Sequence, residues 1–239
     1  MLGAERDPVF VLVHSPLLGP TSWSPVASAL KERDRDVLVP PLRGIAEAPS
    51  PRWRRAVDIV RAAASAIASR AVLVGHSGAG PLLPSIADAL PAEVAALIFV
   101  DAFLPPTSGV APLVPPAFLD QLRTISADGV LPRWSSWFGE ETMGELVPDA
   151  ALRDALEQEM PRLPLAYFEG GVPLPERWAE RPCAFLLLTE AYRESAADAR
   201  GRRWSTKEIP GVQHLAPVTD PIAVTDALLA LEGELAKRT

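Results

Sequence analysis

Short runs that are apolar at almost every position alternate along the chain with longer amphipathic segments. Fully apolar runs are typical of strands covered on both faces, whereas apolar residues spaced three or four apart predict helices. Their alternation predicts βαβ units and therefore an α/β fold, with an open sheet of about six mostly parallel strands and helices on both faces. The predicted strands are residues 9–14, 36–39, 71–75, 95–100, 183–188 and 204–209.

Three helices are well defined by the same pattern. Apolar residues on one face predict helices over residues 22–33 and 53–67. The last helix is predicted to begin at Thr219 or Asp220 as the capping residue, with Pro221 in its first turn.

A long stretch without a core strand, residues 104–182, interrupts the alternation. It holds 12 of the 26 prolines and several aromatic residues. A connection of this length in a compact domain is usually functional, so it predicts a lid; the alternative is a packing embellishment without contact to a substrate. The predicted organisation is an α/β core of residues 1–103 and 183–239 with a lid or cap insertion at residues 104–182.

Composition narrows the class of protein. The net charge of −7 and the pI of about 5.1, without any basic stripe, argue against nucleic-acid or membrane partners. No apolar run approaches the roughly 20 residues of a membrane span, and the first residues lack the apolar core of a signal peptide. The single cysteine, Cys183, excludes an internal disulfide and is expected to be a small buried residue. A cytoplasmic enzyme without a metal or cofactor is the expectation.

The segment AVLVGHSGAGPLL, residues 71–83, carries the clearest chemical signal. A strand leads into Ser77 and then into a helical pattern, which predicts a nucleophile elbow. Such a sharp turn needs small residues two positions to either side, and Gly75 and Ala79 satisfy that need. The Gly78 N–H, at the start of the following helix, is predicted to stabilise an oxyanion.

A glycine-rich nucleotide loop is the competing interpretation of the same residues. Gly75, Gly78 and Gly80 resemble such a loop, and Asp101 follows at the distance of a ribose-binding acid. The glycine spacing differs from G-x-G-x-x-G, however, and the loop follows the third predicted strand rather than the first. This interpretation is therefore disfavoured.

A serine nucleophile needs a base, and the chain has three histidines. His214 lies between the last predicted strand and the last helix, which favours it as the general base. His76, inside the elbow, is predicted to pack or to line the pocket, and His14 to be a structural turn residue. Histidines this scattered do not predict a metal site.

These residues together resemble the α/β-hydrolase superfamily. The resemblance rests on FVLVHS before a loop and Trp23, on the elbow, on LIFVDAFLP, on the insertion and on GVQHL before the last helix. It is greatest to small lidded serine hydrolases related to plant esterases and hydroxynitrile lyases. The resemblance implies that Ser77 and His214 act with a carboxylate as a catalytic triad.

The identity of that carboxylate departs from the common pattern. In many family members the acid follows the strand before the histidine loop, where this chain reads LLLTEAYRE. Tyr192 stands at the usual place, with Glu190 and Glu194 to either side. Asp101 ends the preceding strand, a location that some lipase-like relatives use. Asp101 is favoured over Glu190, with capping of local backbone N–H groups as the alternative role for Asp101.

The predicted oxyanion hole also departs from the family's common pattern. The family usually has His-Gly-X after the first strand, and the N–H of X is the second donor; here Pro16, which has no N–H, stands at X. The Leu17 N–H or the Ser15 hydroxyl would have to replace it beside Gly78.

The favoured function is a serine hydrolase that cleaves an ester or thioester of a small to medium apolar molecule. The predicted pocket residues are His76, Pro16, Phe103, Trp134, Trp137 and Phe138. A lyase or cyclase that uses the triad for acid–base chemistry is the first alternative, motivated by Pro16. A ligand-binding protein on a hydrolase fold is the second. The partner is a small-molecule substrate, and the sequence leaves open a monomer or a homodimer.

Overall fold

The structure, a computed structural model, describes residues 7–139 and 142–237. Residues 1–6 and 238–239 of the predicted core and residues 140–141 of the predicted insertion lie outside this part. Within it the strands are β1 Val9–Val13, β2 Val37–Leu38, β3 Ala71–His76, β4 Val94–Val100, β5 Val110–Pro112, β6 Gly171–Pro173, β7 Cys183–Leu187 and β8 Ser205–Glu208.

Six of the described strands form the main sheet, in the order β2-β1-β3-β4-β7-β8, and every neighbouring pair is parallel. The prediction of an α/β fold with a mostly parallel sheet is confirmed. The sheet reverses its order between β1 and β3, so the chain winds outward in both directions from its centre. In such open sheets the carboxyl ends of the strands form the edge where ligands bind.

Helices cover both faces of this sheet. The α-helices of the described residues, including those of the insertion, are α1 Ser24–Lys31, α2 Trp53–Ala63, α3 Leu83–Ala89, α4 Pro116–Ile125, α5 Thr142–Leu146, α6 Ala150–Glu159, α7 Leu165–Phe168, α8 Arg193–Gly201, α9 Ala216–Thr219 and α10 Pro221–Ala236. No helix among the described residues is both long enough and apolar enough for a membrane span.

Alternate residues of β1 supply the two halves of the core. Phe10 and Leu12 pack under α1 and α10, whereas Val11 and Val13 pack with α2, α3 and α8 on the opposite face. Because successive side chains of a strand point to opposite faces, a strand buried on both sides must be apolar throughout, as the sequence pattern of the central strands indicates.

The insertion at residues 104–182 adds no strand to the main sheet. Its strands β5 and β6 pair antiparallel in a separate two-stranded sheet, and its helices are α4 to α7. Buried residues such as Leu122, Leu131 and Trp178 join it to the core cluster that contains α2 and α3. The insertion therefore packs on the core through its own apolar side chains, and its role as a lid stays a prediction.

Candidate active site

Ser77 follows β3 directly and sits on a strained turn. Its φ of 55° lies in the left-handed region, which a residue with a side chain rarely occupies without support from its surroundings. The strand ends at His76, and the chain reverses at once into a helical turn. This geometry exposes the Ser77 hydroxyl above the carboxyl edge of the sheet, as the elbow motif predicts.

Small residues around Ser77 are required by close packing. A Cβ on Gly75 would approach the Leu83 side chain to 2.8 Å, and a Cβ on Gly80 would come within 2.7 Å of the Phe103 carbonyl oxygen. Ala79 is fully buried. Gly80 is thus a packing residue of the elbow, which the sequence pattern alone did not identify.

The element after Ser77 differs from the expected α-helix. A 3-10 helix, Ser77–Leu82, comes first, and α3 begins only at Leu83. Pro81 lies inside the 3-10 helix and lacks the N–H that an α-helical hydrogen bond would need. The N–H groups at the start of a helix have no partner within it, so the Gly78 N–H still faces outward at this turn.

The buried Asp101 pairs with the half-buried His214, which lines the same cavity as Ser77. Asp101 Oδ2 lies 2.8 Å from His214 Nδ1 and also accepts from the Thr189 hydroxyl at 2.7 Å. Its Oδ1 accepts from the Leu188 and Thr189 N–H groups at 2.9 and 3.0 Å. Asp101 is 0% exposed and has a φ of 43°. The two roles considered for Asp101, partner of His214 and cap of backbone N–H groups, therefore occur together.

The environment of Asp101 keeps it ionised. Burial by itself would raise its pKa, but the hydrogen bond and charge interaction with His214, the Leu188 N–H and the Thr189 side chain outweigh burial and lower the pKa. An ionised Asp101 holds the His214 proton on Nδ1, which leaves Nε2 as the basic nitrogen. Both carboxylate oxygens of Asp101 already accept hydrogen bonds, so neither is free for a ribose hydroxyl. This disfavours the nucleotide-loop interpretation further.

Glu190, the alternative acid, lies elsewhere. Its carboxylate pairs with the Arg193 guanidinium on the exposed surface, and this pairing lowers its pKa. Of the two candidate carboxylates, the structure brings only Asp101 to His214.

His76 packs behind His214 rather than in the pocket wall. It is 1% exposed, its ring centre is 4.6 Å from that of His214, and its Nε2 lies 3.0 Å from the His214 carbonyl oxygen. Burial first, and then the nearby His214, lowers the pKa of His76 to about 3. His76 is therefore neutral at neutral pH, and it supports the His214 backbone by donating a hydrogen bond.

His14 is also a buried neutral histidine. It is 1% exposed, its Nδ1–H donates to the Ser15 carbonyl, and its Nε2 accepts from the Leu42 N–H at 3.1 Å. Burial lowers its pKa to about 4, although the Ser15 carbonyl opposes this shift. The structural turn role expected for His14 agrees with these contacts.

Because His14 and His76 are both buried in the neutral form, we expect the protein to lose stability in mild acid. An unfolded histidine binds a proton below about pH 6.5, whereas folded His14 resists it until about pH 4, so stability present near pH 7 is lost as pH falls through this window. We expect the free energy of unfolding to drop by about 3 kcal/mol between pH 7 and pH 4 from His14 alone. Urea unfolding at both pH values measures it.

A His14→Gln variant provides the control for that experiment. Glutamine can accept from the Leu42 N–H and donate to the Ser15 carbonyl, yet it does not titrate. Its stability should change less with pH than that of the unaltered protein. An identical pH dependence in the two proteins would contradict this assignment.

The loop after β1 approaches the elbow closely. The Ser15 Oγ would lie 3.1 Å from a Cβ on Gly78, with the Pro16 ring at 3.6 Å. The Leu17 N–H donates to the Ser15 Oγ at 3.3 Å. Ser15 is 1% exposed, and the hydrogen of its hydroxyl has no acceptor among the described residues. The two donors considered for the oxyanion hole are thus linked to one another beside Gly78.

An apolar cavity of about 410 Å³ opens above Ser77. It is lined by Leu17, Ser77, Gly78, Phe103, Leu113, Val114, Phe118, Trp134, Trp137, Phe138, Leu146, Phe168, Thr189, Ala191, Tyr192 and His214. Four expected pocket residues are among them: Phe103, Trp134, Trp137 and Phe138. His76 and Pro16 are not, because His76 is buried beneath His214 and Pro16 packs against Gly78.

Most of the other lining residues were not identified from the sequence. Phe118 and Phe168 come from α4 and α7 of the insertion, whose apolar positions look the same whether they face a pocket or the core. The signal for Tyr192 was its place in the chain, after β7. None of the described lining residues is an aspartate, glutamate, lysine or arginine.

Two further expectations concern Cys183 and metals. Cys183 is buried at the start of β7, and burial raises the pKa of its thiol to about 12, so the thiol is inert. Among residues 7–139 and 142–237, no group of histidine, cysteine and carboxylate side chains is arranged to hold a metal ion.

Comparison with known proteins decides the family. A model of the alpha/beta hydrolase family matches residues 10–227. The chain belongs to this family. The superfamily predicted from the elbow and from His214 is confirmed, and the protein is an enzyme of the alpha/beta hydrolase type. No curated protein matches the sequence.

Solved structures of other alpha/beta hydrolases share the fold at low sequence identity. Polyneuridine aldehyde esterase is 18% identical with a TM-score of 0.70, over 95% of this chain and 99% of that one. Tomato methylketone synthase I, solved with 2-tridecanone, is 16% identical with a TM-score of 0.73, over 96% and 99%. A pyrethroid hydrolase from Sphingobium faniae JZ-2 is 18% identical with a TM-score of 0.71, over 96% and 99%. These similarities show that the chain shares its fold with these three proteins.

Proposed function

We propose that this hydrolase cleaves an ester or thioester of a small to medium apolar substrate, with Ser77 as nucleophile, His214 as base and Asp101 as the orienting acid. The observation that carries the proposal is the contact of 2.8 Å between the buried Asp101 and His214, with His214 lining the same apolar cavity as the strained Ser77. A strained serine and an oriented imidazole in the same cavity are the parts that acyl transfer requires.

The first half of the reaction forms a covalent intermediate. Ser77 Oγ bonds to the carbonyl carbon of the substrate while its proton passes to His214 Nε2. The carbonyl oxygen becomes an oxyanion held by the Gly78 N–H and by a donor from the loop of residues 15–17. When the oxyanion collapses, the bond to the alcohol or thiol breaks, and His214 returns the proton to this leaving group.

The second half releases the acid. Water attacks the acyl-Ser77 carbonyl carbon and gives its proton to His214, and the second oxyanion then expels Ser77, which takes the proton back. Throughout both halves, ionised Asp101 stabilises the charged imidazole without itself gaining a proton.

The cavity supports an uncharged, apolar acyl or aryl group as the substrate. Its described lining is aromatic and aliphatic around Ser77, Thr189 and His214, and it offers no arginine or lysine for a carboxylate or phosphate. One structural neighbour is named as an esterase and another as a pyrethroid hydrolase, in line with this proposal. A cytoplasmic location and a small-molecule partner remain predictions that go with it.

Labelling of Ser77 tests the proposal. A fluorophosphonate probe should phosphonylate Ser77, as located by peptide mass spectrometry, and p-nitrophenyl hexanoate should be turned over. Ser77→Ala should abolish both the labelling and the turnover. Ser85 lies on α3 and donates to the Pro173 carbonyl outside the cavity, so Ser85→Ala should retain both. An unlabelled Ser77 in folded protein, or ester turnover that survives Ser77→Ala, would overturn the nucleophile assignment.

A non-hydrolytic lyase or cyclase is the second candidate function. The observation that favours it is Pro16, which removes the usual second oxyanion donor. The methylketone synthase neighbour shares the fold with the hydrolases. This candidate predicts that the fluorophosphonate probe leaves Ser77 unlabelled. The ligand-binding alternative makes the same prediction, and it further predicts that a bound ligand is recovered unchanged.

A further inference from the structure

Tyr192 occupies the position after β7 where many relatives would carry the triad acid. It ends a 3-10 helix, Glu190–Tyr192, immediately before α8. Its ring lies parallel to the His214 ring, with centres 5.4 Å apart and planes 12° apart, and it also packs against the Phe103 ring, with centres 4.9 Å apart. Tyr192 thus holds one face of the imidazole that the proposed mechanism uses.

The hydroxyl of Tyr192 reaches the nucleophile. Both side chains line the same cavity, and hydrogen bonding from Ser77 to the phenol oxygen lowers the pKa of Tyr192. His214 uses its Nδ1 for Asp101, which leaves its Nε2 for the Ser77 proton. The phenol oxygen therefore lies close to the oxygen atom that is to react.

The protonation state of Tyr192 sets which role it can take. Burial raises its pKa to about 12; the hydrogen bond with Ser77 opposes this shift, and the Asp101 charge adds to it. At neutral pH the phenol keeps its proton, so it cannot serve as a base. Once the Ser77 proton has moved to His214, what the phenol can offer Oγ is its O–H as a donor.

We propose that Tyr192 is a catalytic residue that donates a hydrogen bond to Ser77 Oγ during attack and departure. The inference rests on the proposed function. As the Ser77 proton moves to His214, negative charge grows on Oγ before the new bond to carbon is complete. A hydrogen bond to a charged oxygen is roughly twice as strong as one to a neutral oxygen, so the phenol stabilises this stage more than the ground state. The Tyr192 proton itself is not transferred.

A Tyr192→Phe variant isolates the hydroxyl, since phenylalanine keeps the ring contacts with His214 and Phe103. We expect kcat for p-nitrophenyl hexanoate and the rate of fluorophosphonate labelling to fall about 10- to 100-fold, with KM and Tm nearly unchanged. A residue with only a structural role would lower Tm without this selective loss in kcat.

The other tyrosine of the chain provides a matched control. Tyr167 is 3% exposed, and its buried hydroxyl has no hydrogen-bond partner in the part of the chain that the structure describes. Tyr167→Phe removes the same atom away from Ser77 and should leave kcat and labelling unchanged. If Tyr192→Phe behaves like Tyr167→Phe while Ser77→Ala abolishes labelling, the inference about Tyr192 is wrong and the proposed function stands. If Ser77→Ala retains turnover, the proposed function itself is wrong.

A second measurement covers the case in which Tyr192→Phe does not fold. In the Tyr167→Phe background, Tyr192 is the sole tyrosine, so biosynthetic 3-fluorotyrosine replaces this residue alone. Fluorination makes the phenol more acidic and strengthens its donation. Faster labelling of Ser77 supports the assignment, and an unchanged or slower rate overturns it.

Discussion

Replacing Asp101 with asparagine is expected to lower kcat/KM for ester hydrolysis by about 10⁴-fold. In the structure the Asp101 Oδ2 lies 2.8 Å from His214 Nδ1 and fixes the proton there. An amide group in its place can offer an N–H instead, which favours the imidazole tautomer whose Nε2 is protonated. That tautomer cannot accept the Ser77 proton, so the nucleophile is not activated.

Asparagine is the suitable replacement because it leaves the local backbone intact. Asp101 has a φ of 43°, and asparagine tolerates the left-handed region better than most residues. Its side-chain oxygen can still accept from the Leu188 and Thr189 N–H groups that Oδ1 now serves. A Tm close to that of the unaltered protein would show that the loss in rate is chemical.

Glu190→Gln is the matched control for the acid. Glu190 is on the exposed surface and pairs with Arg193, so we expect its replacement to change kcat/KM less than twofold. If the glutamine variant loses activity while Asp101→Asn keeps it, the acid has been assigned to the wrong carboxylate. Steady-state kinetics on p-nitrophenyl hexanoate with both variants decides between them.

The central strands of the fold were predictable because their burial dictates their composition. β3, β4 and β7 lie inside the sheet, and their predicted limits differ from those of the structure by one residue at most. The two edge strands were less accurate: β2 has only Val37–Leu38, and β8 is shorter than predicted by one residue at each end. An edge strand pairs on one side only, so an apolar pattern does not mark where its pairing stops.

The reacting groups of the site were predictable where geometry constrains residue type. The elbow admits only small neighbours, which identified Ser77, and the position of His214 followed from the chain order of the fold. Asp101 was favoured because a carboxylate that ends a buried strand needs a partner. The 3-10 turn after Ser77 and the packing of His76 under His214 depend on contacts between distant segments, which no local pattern encodes.

Ser15→Ala distinguishes the two donors that can complete the oxyanion hole. The Leu17 N–H donates to Ser15 Oγ at 3.3 Å, whereas the hydroxyl hydrogen of Ser15 has no acceptor among the described residues. We therefore expect the Ser15 O–H to be the donor, with Leu17 orienting it. Loss of an oxyanion donor typically costs about 10²–10³ in rate, so kcat should fall by that factor with KM little changed.

The opposite outcome has a different physical cause. If the Leu17 N–H is the direct donor, removing the Ser15 hydroxyl frees it from its present acceptor, and kcat should stay the same or rise. Ser22→Ala is the control, because Ser22 is as buried as Ser15 but bonds the Gly19 carbonyl instead. It should alter Tm without changing kcat. An active Ser15→Ala variant would assign the second donor to Leu17, and a nearly inactive one would show that a side-chain hydroxyl replaces the backbone N–H that Pro16 lacks.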